Sequence, residues 1–127
     1  MKKVLSIERL KKSFGYAFKG IDDVVSNEPN MKIHVSVAIL VVIMAFLLKI
    51  SMIEWIILVL LIGLVLAAEV INTTIENLVD MYTKDYNERA KVVKDTAAGT
   101  VLILAITAVI IGLMIFVPKI ILVLESL

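Results

Sequence analysis

Glu69, Asn72, Glu76 and Asp80 set three carboxylates and an amide into a stretch of otherwise apolar and small residues. At about 100° per residue of an α-helix they share one arc of roughly 80°, a polar line about three turns long. Carboxylates in such a line can take protons, or hold a hard cation together with substrate phosphates. Glu69 is farthest from the charged end of the stretch. In a bilayer its charge costs about 2.5–3.5 kcal/mol on insertion scales, so such a residue usually faces a protein interior and serves function. The bland alternative is a protonated Glu69 that hydrogen-bonds a neighbouring helix.

A second polar group, Lys91, Lys94 and Asp95, follows a short connection from Met81 to Val93. Lys94 and Asp95 are expected to meet the foot of the Glu76–Asp80 face, whereas Lys91 reads as ordinary interfacial charge. Glu28 belongs at the same level, although alone it carries no signal. Glu76 and Glu28 could hold Mg²⁺, Lys94 could neutralise phosphate oxygens, and Glu69 could take a proton from a hydroxyl. Phosphoryl transfer needs little beyond that positioning and charge. A proton-coupled or ion-conducting membrane subunit would also place carboxylates down one helix face. His34, the lone histidine, reads as an interfacial anchor or packing residue. Gly15 and Gly20 have P-loop spacing, but Ile21 and Asp22 stand where Lys and Ser or Thr are required. There is no HExxH, and no serine–histidine arrangement with a supporting carboxylate.

The elements that position these residues are membrane helices. Hydrophobic residues are 61% of the 127, mostly aliphatic, against roughly 45–50% in soluble proteins. A span takes about 20 apolar residues. Three candidates emerge: residues 33–50, with Lys49 snorkelling so that the span extends toward Ile50; 54–80, containing the polar line; and 95–118, closed by Pro118 and Lys119. Residues 1–30 hold an amphipathic helix and its connection. Ile7, Leu10, Phe14, Ala17, Phe18, Ile21, Val24 and Val25 recur at helical steps, a pattern suited to the membrane interface. The expected fold is a single all-α integral membrane domain, with three transmembrane helices after an N-terminal surface helix. Ala105, Ala108 and Gly112 permit close helix approach.

The absence of cysteine excludes disulfides and thiolate metal sites. Met1-Lys2-Lys3 is not followed by an apolar core of signal-peptide length, so no cleaved signal is expected. Seven basic residues precede the first span (Lys2, Lys3, Arg9, Lys11, Lys12, Lys19, Lys32) and four lie between the second and third (Lys84, Arg89, Lys91, Lys94). Lys49 and Lys119 stand alone in the other two segments. Basic residues concentrate on the cytoplasmic side, which places the N-terminus and the 80–94 loop in the cytoplasm.

At these residues the sequence resembles the prokaryotic diacylglycerol kinase family, especially the branch whose Gram-positive members act as undecaprenol kinases. The likeness rests on Ala68-Glu69-Val70-Ile71-Asn72-Thr73-x-Ile75-Glu76-x-x-Val79-Asp80 and on Ala90-Lys91-x-x-Lys94-Asp95-x-Ala97-Ala98-Gly99. Gly15-Tyr16-Ala17-x-Lys19-Gly20 and Asn27-Glu28-x-Asn30-Met31-Lys32-Ile33-His34 match upstream. The resemblance implies a homotrimeric enzyme of the cytoplasmic membrane that uses ATP and Mg²⁺, with sites shared between subunits. It implies Glu69 as general base, with Asn72 orienting it or the lipid hydroxyl. It further implies Glu28 and Glu76 as metal ligands that also lie at the nucleotide, and Lys94 and Asp95 as nucleotide-phosphate contacts. Arg9, Tyr16, Asp85, Tyr86 and Asn87 fall at nucleotide- or lipid-proximal positions. Glu69, His34 and Ala98 would face the lipid. His34 stands where the diacylglycerol branch tends to carry a carboxylate and Ala98 where that branch has serine. The expected substrate is therefore undecaprenol, giving undecaprenyl phosphate, with diacylglycerol as the alternative.

Overall fold

The computed structural model describes residues 6–127, and among them the chain is all α-helical. Lys2 and Lys3, counted above toward orientation, lie outside the described residues. The elements are α1 (Ile7–Asn27), α2 (Pro29–Leu47), α3 (Met52–Tyr82) and α4 (Glu88–Glu125). The last three are long and apolar enough to cross a membrane. The protein is thus a multi-pass membrane protein by its helix composition.

Ser6 opens α1, its hydroxyl accepting from the Arg9 backbone N–H at 3.2 Å. Ile7, Leu10, Phe14, Phe18 and Ile21 all stay exposed, so the apolar stripe is not covered by the protein's own chain. Only Val24, near the end of α1, is buried. The break between α1 and α2 is made by Pro29. It sits in the first turn of α2, where its missing N–H costs nothing, and it forces Glu28 out of the helical region to φ −97°, ψ 116°. A one-residue hinge therefore carries the Glu28 carboxylate.

At the far end of α2 the helix stops at Leu47 and does not continue through Lys49. Lys49 adopts φ 53°, its N–H donating to the Phe46 carbonyl, while the Ile50 N–H donates to the Ala45 carbonyl, both at 3.3 Å. This is a Schellman ending with lysine in the left-handed position that glycine usually fills. Ile50 is buried beside Ala45, in a cluster with Leu58, Ile115 and Phe116. Ser51 and Glu54 then form a capping box that starts α3: the Ser51 hydroxyl accepts from the Glu54 N–H at 3.2 Å, and the Glu54 carboxylate accepts from the Ser51 N–H at 2.9 Å.

α3 is the central helix, packed along α4 and less extensively against α2. Its 31 residues extend about 46 Å, longer than the ~30 Å hydrocarbon core, which leaves length for tilt or for an end beyond the core. α4 is longer still and runs through Pro118 to Glu125. Pro118 and Lys119 close the uncharged run but not the helix. Helices in apolar surroundings tolerate proline, because leaving the helix would free more backbone groups than the one N–H that proline lacks. Two ion pairs join antiparallel α3 and α4 at opposite ends: Glu54 with Lys119 at 3.0 Å, and Asp80 with Lys94 at 2.6 Å. Being partly exposed, they fix the register of the two helices more than they add stability.

Candidate active site

The polar line on α3 faces the interior. Glu69 is 2% exposed and Asn72 4%. Thr73 is 3% exposed; one turn from Glu69 and about 40° around the helix, it extends the same face. Glu76 is half-buried and Asp80 exposed, so the line runs from a dry interior to a wetter end. The Asn72 side-chain amide donates to Glu76 Oε1 at 3.2 Å and thereby couples two members of the line. Asn72 Oδ1 and Thr73 Oγ1 are buried and find no hydrogen-bond partner among the described residues. Thr74, Thr96 and Thr107 each bond the carbonyl four residues back, whereas the Thr73 hydroxyl does not. Sequence reading passed over Thr73, although its i+4 spacing from Glu69 was available as a signal.

From α2, His34 reaches across to Glu69, with Nε2 3.5 Å from Oε2. The histidine is thus turned toward the buried carboxylate, in a place that no spacing along a single helix reveals. His34 from α2 and the Glu69, Asn72 and Glu76 side chains of α3 therefore form one connected polar group. Among the described residues no three His, Asp or Glu side chains form a metal cage. Mg²⁺ does not require one, since one or two carboxylates plus substrate phosphates suffice.

The other predicted residues are arranged more loosely. Lys94 meets the foot of the α3 line through Asp80, as expected. Asp95 does not, because it pairs with Lys91 at 2.6 Å along its own helix. Asn87 caps α4, its side-chain oxygen accepting from the Ala90 N–H at 2.9 Å. Asp85 and Tyr86 are exposed in the loop before it, and Ala98 is exposed on α4. Arg9 and Tyr16 project from α1 into the surroundings, Tyr16 being 73% exposed. Within one chain these last residues do not close on Glu69.

An apolar cavity of about 510 Å³ opens between α2, α3 and α4. Ala105, Ala108 and Gly112 line it, so these small residues leave room here that larger ones would fill. His34 is also in the lining, alone in being polar among side chains that include Ile33, Val37 and Leu66.

One buried carboxylate, Glu69, heads a polar line that ends at the partly exposed Asp80–Lys94 pair, within an apolar bundle of helices long enough to cross a membrane. The chain belongs to the prokaryotic diacylglycerol kinase family, whose pattern it matches over residues 15–116. It is 43% identical to the undecaprenol kinase of Bacillus subtilis, over 89% of this chain and 92% of that protein. It is 40% identical to a diacylglycerol kinase of Synechocystis sp., over 79% of this chain and 58% of the relative. The diacylglycerol kinase of Escherichia coli K12 is 32% identical over 80% of this chain and 84% of its own length. The protein is therefore a membrane lipid kinase that uses ATP.

Proposed function

We propose that the protein transfers the γ-phosphoryl group of ATP to undecaprenol, as a homotrimer in the cytoplasmic membrane with Mg²⁺ at the nucleotide. The observation that carries the chemistry is the buried Glu69 carboxylate at the head of a polar line that ends at Lys94. Glu69 takes the proton as the lipid O–H bond breaks. The freed oxygen bonds to the γ-phosphorus, and the bond to the bridging oxygen breaks as ADP leaves. A general base of this kind contributes about 10²–10⁴-fold.

Asn72 orients the base or the hydroxyl from its place between Glu69 and Glu76. Glu76 and Glu28 would hold Mg²⁺ through their carboxylate oxygens, and the bound ion would supply neutralisation of phosphate charge. Their half-buried positions and the hard-oxygen donor set suit that ion. Lys94 turns from Asp80 to the phosphates, and Asp95 joins it by releasing Lys91. Arg9 and Tyr16 on α1, with Asp85, Tyr86 and Asn87 in the loop, complete the nucleotide site from a neighbouring subunit. Their exposure in the single chain supports that arrangement. His34 and Ala98 lie at the lipid. α1 rests its uncovered apolar stripe on the cytoplasmic leaflet, and the Lys and Arg bias supports a cytoplasmic 80–94 loop.

The share of each chain covered by the likeness to the Bacillus subtilis undecaprenol kinase favours undecaprenol over diacylglycerol. A phosphotransfer assay on purified protein, with both lipids offered side by side, tests the choice. Phosphorylated undecaprenol should predominate; an excess of phosphorylated diacylglycerol would reverse it.

A further inference from the structure

His34 occupies two environments at once. Its Nε2 approaches Glu69 Oε2 at 3.5 Å, and its ring lines the apolar cavity between α2, α3 and α4. The histidine side chain is 20% exposed and that of Glu69 3%. A carboxylate held in so dry a place keeps one orientation only if a neighbour fixes it. On α3 itself, Asn72 gives one amide N–H to Glu76 at 3.2 Å, so it is shared between the two carboxylates of its own helix. Thr73, four residues on along the same face, makes no side-chain hydrogen bond among the described residues. On α2, His34 is the side chain placed to hold Glu69 from the opposite helix.

We infer that His34 is a positioning residue for Glu69: its Nε2–H holds Oε2, leaving Oε1 free to receive the proton of the lipid hydroxyl. The inference rests on Glu69 being the general base. It goes beyond lipid contact, because it assigns His34 an effect on turnover through the base. The cavity supports it, since an apolar chain lying there meets His34 as its one polar boundary. The hydroxyl then stops where the carboxylate is held. The imidazole takes no proton from the lipid and forms no bond to phosphorus.

His34→Gln and His34→Leu separate this role from packing. Glutamine keeps an N–H near the place of Nε2, whereas leucine fills similar space without a donor. Both variants should retain the wild-type thermal midpoint and KM for ATP. In lipid phosphorylation, His34→Gln should keep most of the wild-type kcat, and His34→Leu should lose about 10- to 100-fold, as expected for a misplaced catalytic group. Equal kcat in the two variants would overturn the positioning role, as would a fall in stability that accounts for the loss in leucine. Glu69→Gln measured alongside distinguishes the two readings. If it stays active, the base assignment fails and His34 with it; if it is inactive while leucine matches glutamine, only the role of His34 fails.

Discussion

Lys94 Nζ lies 2.6 Å from Asp80 Oδ1, joining the foot of the α3 polar line to the first turns of α4. The pair holds a cation ready at the wetter end of the site without committing it, because both side chains remain partly exposed. Lys94→Ala should raise KM for ATP about 10-fold or more, the loss expected for a charge-assisted hydrogen bond to phosphate. Asp80→Asn should leave the thermal midpoint nearly unchanged, as exposed ion pairs contribute little. Initial-rate kinetics over a range of ATP check the first, and unaltered KM would remove Lys94 from the nucleotide site.

Glu76 should reveal itself through the metal. Glu76→Gln keeps the size of the side chain and an oxygen for Asn72, but removes the charge that favours a hard cation. The Mg²⁺ concentration needed for half-maximal activity should rise about 10-fold. A superimposable metal titration would show that Glu76 is not a ligand.

Thr73 carries a hydroxyl that is buried and unpaired. Thr73→Val removes that group while keeping the branched shape. Because leaving a buried polar group unsatisfied costs about 1–3 kcal/mol, the variant should be as stable as the parent or more so, by up to about 1 kcal/mol. Thermal unfolding in detergent measures this. A marked loss of stability would mean that the hydroxyl is bonded in the assembled enzyme.

Lys49 bears a side chain where the Schellman turn calls for φ above zero. Lys49→Gly should relieve about 1 kcal/mol of local strain and raise the midpoint by a few degrees, with activity unchanged. A lower midpoint would show that the lysine side chain contributes more at the α2–α3 turn than its backbone costs.

Much of this arrangement was legible in the sequence. The three apolar runs announced the spanning helices, because bilayer thickness sets a length that composition alone can meet. The 3- and 4-residue steps from Glu69 to Asp80 marked one face, because helical geometry fixes it locally. What escaped depends on contacts between helices or on local backbone choices. His34 read as an anchor because nothing along α2 indicates that Glu69 lies opposite. Asp95 was expected at the α3 face and pairs instead with Lys91, one turn away on its own helix. Lys49 was read as a snorkelling residue inside a longer span. The chain instead turns through the left-handed region at Lys49, and Ile50, three residues past the helix end, is buried with its N–H on the Ala45 carbonyl. Pro118 ends the uncharged run but not the helix, because a helix already in apolar surroundings loses less by continuing through it.

The general-base role of Glu69 is tested most directly by measuring nucleotide binding and lipid phosphorylation on one preparation of Glu69→Gln beside the parent protein. The variant should assemble and bind ATP as the parent does, and its rate of lipid phosphorylation should fall by about 10²–10⁴-fold. Turnover equal to the parent's would contradict the account.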